Sequence, residues 1–168
     1  MATNWADKQC VRKGKIGEQI VRRYLESQGW MIYEPSTTGA HPFDMLVATK
    51  DKKNIYIADS KAKAARTYYP DTGIDLRHYS DYKHLQDKHS IDVYLFFVDE
   101  NAGEVYGNLL SILDSARVVM GKQYPITYKG VIYFPLAAMI RIGELNTDEI
   151  AELKRLSSRS YEYGNYKI

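Results

Sequence analysis

Residues 43–63, FDMLVATKDKKNIYIADSKAK, constrain the chain more than any other stretch. Two apolar runs flank a charged tip, Lys50-Asp51-Lys52-Lys53, and the pattern reads as a β-hairpin. Strand side chains alternate faces, so Ile55, Ile57, Asp59 and Lys61 share one face of the second run, and Asp44, Leu46 and Ala48 share one face of the first. With the tip at residues 50–53, Thr49 lies opposite Asn54, and counting back sets Asp44 opposite Asp59. Directly opposed residues have Cβ atoms about 4.5–5.5 Å apart. Two carboxylates and the Lys61 ammonium then converge at one end of an otherwise apolar face. Like charges so placed destabilise a sheet unless something cationic sits between them. The pattern points to a divalent-metal site with Lys61 beside it.

A helix is expected before the hairpin, over residues 15–28, because Ile16, Ile20, Val21, Tyr24 and Leu25 fall within one half of a helical wheel. Glu18 sits at the edge of that stripe, and Gly29 is a fitting stop. Alone, Glu18 would read as an exposed helix glutamate; its place at the core boundary and the hairpin downstream favour a role in the site. A short strand is expected at residues 30–34. The loop PSTTGAHP then runs directly into Asp44, where Ser36 and Thr37 could offer hydroxyls or backbone N–H groups to a phosphate.

After the hairpin, residues 64–73 read as a loop whose Arg66, Tyr68 and Tyr69 would suit a nucleic-acid groove, although tyrosine is common throughout this chain. A helix is expected over residues 75–88, with Leu76, Tyr79, Tyr82 and Leu85 as its apolar stripe. His78, His84 and His89 lack i, i+4 spacing and read as surface or partner-contacting residues. Residues 91–98, IDVYLFFV, are nearly continuous in apolar side chains, as in a central strand buried on both faces. Strand, helix and buried strand make a crossover with parallel strands. A turn at 99–103, a strand at 104–108, a helix at 109–119 and a strand at 131–136 follow. Asn146 and Thr147 can cap a final helix over residues 148–158. Residues 160–168 read as a loose or partner-docked tail.

The 168 residues suit a single domain spanning 1–168, and the composition is that of an ordinary soluble protein. No apolar run approaches the roughly 18–20 residues needed to cross a bilayer. MATNWADKQC lacks the apolar core of a signal peptide. The one cysteine, Cys10, cannot form an internal disulfide, so a reducing, cytoplasmic setting is expected. Net charge is only +2, but residues 1–67 carry 12 Lys/Arg against 7 Asp/Glu. A basic surface around an acidic pocket is what a phosphodiester substrate with a metal would need.

Gly14-Lys15-Ile16-Gly17-Glu18, then His41-Pro42-Phe43-Asp44, then Ile57-Ala58-Asp59-Ser60-Lys61 resemble the PD-(D/E)XK nuclease superfamily. Residues 13–63 are also similar to the archaeal Holliday-junction resolvases and related small nucleases. The resemblance implies an α/β, restriction-endonuclease-like fold: a central mixed β-sheet flanked by helices, with an α-β-β-β-α-β core. It implies a metal-dependent DNA endonuclease, acting as a homodimer or higher oligomer. Asp44 and Asp59 would be ligands of Mg²⁺, with Mn²⁺ able to substitute and the Ser60 backbone carbonyl as a further ligand. Glu18 would bind a second metal or a metal-bound water, and Lys61 would complete the catalytic set. Lys13, Lys15, Ser36, Thr37, Lys63 and Arg66 would contact DNA. The chain departs from the pattern in two places: Pro42 lies two residues before the first acid, and Asp59 stands where glutamate is commoner. The alternatives are a sequence-specific restriction or homing-type endonuclease, and a DNA-binding module on this fold that has lost catalysis. A protein-interaction domain is a third.

Overall fold

A computed structural model describes residues 8–36 and 41–158. In chain order the elements are α1 (Gln9–Ser27), β1 (Met31–Tyr33), β2 (Met45–Ala48), β3 (Ile55–Ala62), β4 (Asp71–Asp75), α2 (Leu76–His89), β5 (Asp92–Asp99) and β6 (Glu104–Leu109). Then come α3 (Leu110–Leu113), β7 (Arg117–Val119), β8 (Lys122–Tyr124), β9 (Ile126–Tyr128), β10 (Val131–Pro135), β11 (Ile140–Glu144) and α4 (Thr147–Ser158).

The central sheet has six strands in the order β1-β2-β3-β5-β6-β11. It is mixed: β3 and β5 are parallel, and the other neighbours are antiparallel. The parallel step is what a helical crossover between β3 and β5 requires. Along β5, Val93, Leu95 and Phe97 enter one core, and Phe96 and Val98 enter the other. A near-continuous apolar run is therefore the correct composition for a strand covered on both sides. One core holds Ile20, Val21 and Leu25 of α1 and Leu153 of α4 against the sheet. The other packs Tyr82 of α2 with Ile74 of β4 and Ile132 and Phe134 of β10.

The hairpin register is the one the sequence dictates. Thr49 N–H donates to the Asn54 carbonyl at 3.0 Å, and the ladder runs from Ala48 opposite Ile55 to Met45 opposite Ala58. Gly29 has φ +75°, a left-handed conformation that ends α1 cheaply only with glycine. The start of α4 is a reciprocal cap: the Glu149 N–H donates to Asn146 Oδ1, and the Asn146 N–H donates to Glu149 Oε2, both at 2.9 Å.

Several expectations need correction. α1 begins at Gln9, six residues before the expected start at residue 15, and ends at Ser27. Residues 71–75 form a strand, β4, paired with β10 in a second, three-stranded sheet. The helix expected at 109–119 stops at Leu113. β-branched Val118 and Val119 instead enter a β7–β8 ribbon, closed by Met120 and Gly121 with φ of +50° and +74°. β9 and β11 had no counterpart in the sequence reading. The expected tail at 160–168 lies outside the described residues. Among the described residues no helix is long and apolar enough to cross a membrane.

Candidate active site

The last hydrogen-bonded pair of the β2–β3 ladder is Met45–Ala58. One step further, the same register sets Asp44 across from Asp59. β3 continues past the end of its partner, so Ser60 and Lys61 line an open cavity instead of pairing with β2, with Asp59 buried beside them. Asp44 is fixed by Ser60: its Oδ2 accepts the Ser60 N–H at 2.8 Å and the Ser60 hydroxyl at 3.1 Å. Its Oδ1 takes no hydrogen bond from the described residues.

Asp59 is buried at 3% exposure. Its Oδ2 lies 2.5 Å from Lys61 Nζ, yet no donor reaches that oxygen with hydrogen-bond geometry. The Lys61 ammonium also sits 5.7 Å from the centre of the Tyr82 ring, a cation–π distance. Glu18 arrives from α1. Gly17 makes that approach possible, because a Cβ there would lie 3.0 Å from the Ala62 Cβ on β3.

The charges interact strongly. Burial, then the neighbouring Asp59 and Glu18 carboxylates, push Asp44 up to about 7. Burial raises Glu18 as well; His41 and Lys61 oppose this and Asp59 adds to it. Burial alone would lower Lys61, but Asp59, Asp44 and Glu18 together hold it above the usual lysine range. The Tyr82 phenol is raised by burial and then by Asp59. The cavity, about 740 Å³, is lined by Glu18, His41, Asp44, Ser60, Lys61 and Lys63 among others.

Glu18, Asp44, Ser60, Lys61, Lys15 and Lys63 therefore share one cavity, with Asp59 directly behind Lys61. Among the described residues no three His, Cys, Asp or Glu side chains form a ready-made metal cluster. The Asp44–Asp59 pair nevertheless suits a hard divalent cation. It offers a buried oxygen, Asp59 Oδ2, that receives no hydrogen bond, together with the Asp44 carboxylate, whose Oδ2 is held by Ser60.

Other candidates are placed differently. Lys13 is ion-paired to buried Glu100 at 2.7 Å. Arg66 holds buried Asp71 through Nε and Nη2, each at 2.6 Å, and its guanidinium is stacked between Tyr69 and Tyr133. Both cations anchor carboxylates. Ser36 is exposed and outside the cavity lining, and Thr37 lies outside the described residues.

Two cavity residues, and a buried ring that meets Lys61, escaped sequence reasoning. His41, whose Nδ1 donates to the Phe43 carbonyl at 2.5 Å, is two turn residues from Asp44. Its position inside the His-Pro-Phe-Asp segment was a usable signal. His78, read as a surface or partner-contacting residue, also lines the cavity. Tyr82 read only as part of a core stripe; nothing in α2 alone shows that its ring meets Lys61.

No protein-family model matches the sequence, and no curated protein matches it. Among solved structures, the chain is similar to Archaeoglobus fulgidus Hjc, a Holliday junction resolvase from an archaeal hyperthermophile. The two share 8% identity over 74% of this chain and 90% of that one, with a TM-score of 0.52. The fold is restriction-endonuclease-like. The likeness extends to the architecture, a mixed central sheet flanked by helices.

Proposed function

We propose that the chain is a metal-dependent endonuclease that hydrolyses phosphodiester bonds in DNA, with a preference for branched substrates. The observation that carries this reading is the register that sets Asp44 across from Asp59 and aligns Lys61 with both. The likeness in fold to a Holliday junction resolvase supports a branched substrate. No recognisable base-reading module among the described residues points to a particular DNA sequence.

Asp44 and Asp59 would hold Mg²⁺, or Mn²⁺ in its place, with the Ser60 backbone carbonyl as a further oxygen ligand and Glu18 acting through water or at a second ion. Such an ion, when bound, polarises a phosphate and lowers the pKa of a bound water. Ser60 positions the Asp44 carboxylate through two hydrogen bonds, so this ligand is set before substrate arrives. Burial opposes the charge on Lys61, but Asp59, Asp44 and Glu18 together hold its amine above the usual lysine range. It therefore serves as a fixed positive charge that orients the attacking water and stabilises charge developing on the phosphate oxygens. A proton acceptor would need the opposite shift. Lys15 and Lys63, on the cavity wall, are placed to meet flanking phosphates. A second copy of the site, in a homodimer, would supply the cut on the opposite strand.

The test is cleavage of four-way-junction, duplex and single-stranded DNA with Mg²⁺, Mn²⁺ or EDTA, by wild type, Asp59→Ala and Lys61→Ala. Metal-dependent cutting by wild type alone, with DNA binding kept in both variants, is expected. Equal cutting by wild type and Asp59→Ala would overturn the reading.

A further inference from the structure

Beyond the catalytic cavity lies a second groove of about 690 Å³. The two are continuous, since Ala62 and Lys63 line both. Its far wall is formed by residues 64–69, the 99–103 turn and the end of α4. Charge in this groove is unevenly compensated. Glu100 is neutralised by Lys13 and receives the Ser157 hydroxyl at 2.7 Å, and Arg66 is paired with Asp71. Lys63 and Lys154 have no ion-pair partner among the described residues, which leaves a net positive surface leading away from the catalytic acids.

Tyr68 stands at this groove with 90% of its surface exposed. Its loop is nonetheless tied down. The Ala65 N–H donates to buried Asp99 at 2.8 Å, the Arg66 N–H to the Asp71 carbonyl at 3.0 Å, and the Asp71 N–H to the Tyr69 carbonyl at 2.8 Å. Next to it, Tyr69 is held between the Arg66 guanidinium at 4.2 Å and Lys122 Nζ at 4.0 Å. An apolar ring in water on a pinned loop is a preorganised platform: little ordering is left to do when a flat partner covers it.

We propose that this groove receives a single-stranded DNA segment leaving the catalytic cavity, with a base stacked on Tyr68 and its phosphates on Lys63 and Lys154. A duplex does not satisfy the surface equally, because its base faces are covered by one another and only phosphates and edges are offered. The groove therefore selects DNA that is unpaired next to the cut. The inference rests on the nuclease reading above and narrows its substrate.

The test is fluorescence anisotropy with Ca²⁺ in place of Mg²⁺, comparing a blunt duplex with the same duplex carrying a short oligo-dT overhang. Wild type should bind the overhang substrate roughly tenfold more tightly, and Tyr68→Ala should lose about that factor on it while binding the blunt duplex unchanged. Tyr68→Trp should keep the preference, which a merely structural tyrosine would not ensure. Lys154→Ala should reduce the salt dependence of overhang binding by about one unit of slope. Cleavage by wild type with no overhang preference, or with Tyr68→Ala matching wild type on the overhang substrate, would overturn the groove assignment and leave the nuclease reading intact. Neither binding nor cleavage of any DNA by wild type would overturn both.

Discussion

Asp44 and Asp59 face one another one step past the last hydrogen-bonded pair of their hairpin, where β2 has ended and β3 continues. A sheet interior would not tolerate two carboxylates there without a compensating charge. Lys61 supplies one, at 2.5 Å from Asp59, and Asp44 is left to the hydrogen bonds of Ser60.

Proton and metal should compete at Asp44. Its folded value, about 7, lies above the ordinary 3.8. A carboxyl raised on folding binds its proton more tightly in the native state, so the metal-free protein should lose stability as pH rises from about 4 to about 7. Mg²⁺ favours the ionised form, so the rise in Tm on adding Mg²⁺ should grow over pH 6–8. Asp44→Asn should flatten both trends in a thermal-denaturation series; an unchanged pH dependence in that variant would count against the assignment.

Lys61→Met should lower kcat by about 10²–10³ if the ammonium stabilises charge developing on the phosphate. It also leaves Asp59 buried without its cation, which should cost a few kcal/mol of metal-free stability, about 3–5 at most. Added Mg²⁺ should recover much of that loss in Tm without restoring turnover. Recovery of both would show that Lys61 matters only for folding.

The Lys13–Glu100 pair gives an independent acid-stability prediction. Burial opposes ionisation of Glu100, but the hydrogen bonds from Lys13 and Ser157 hold it below the usual glutamate value. A depressed carboxyl adds stability that is present above the unfolded value of 4.5 and is lost as pH falls through the folded one. Lys13→Ala should destabilise the protein by roughly 3–5 kcal/mol at neutral pH, with a smaller effect in acid. Adding Glu100→Gln to that variant should recover part of the loss in urea denaturation. A neutral effect of Lys13→Ala on Cm would mean that the pair is not formed.

Gly17 sets the distance between α1 and β3. Gly17→Val must push Ala62 and the helix apart, since even one Cβ would sit 3.0 Å from the Ala62 Cβ. Cleavage should fall much more than stability, because Glu18 moves with the helix. A variant with full activity would show that Glu18 need not approach the cavity.

The hairpin was legible in sequence because its tip length fixes its register, and the register alone brings Asp44 to Asp59. β5 was legible because a strand buried on both faces has no polar alternation to hide it, and α4 because Asn146 and Glu149 spell out a cap. β4 was not. Residues 71–75 look like a turn, and Asp71 is a fully buried strand residue held by Arg66 from the preceding loop and by the Tyr124 hydroxyl, at 2.7 Å, from a distant segment. The early start of α1 was hidden because Gln9, Cys10, Arg12 and Lys13 carry no apolar stripe. Lys13 and Arg66 were legible as cations but not as partners, since Glu100 and Asp71 meet them through tertiary contacts.

The central claim is that Asp44 and Asp59 hold one divalent cation together, and isothermal titration with Mn²⁺ above pH 7 tests it most directly. Wild type should give a saturating isotherm that is lost in both Asp44→Asn and Asp59→Asn, with circular dichroism spectra unchanged. Equal Mn²⁺ binding by wild type and Asp59→Asn would contradict the account.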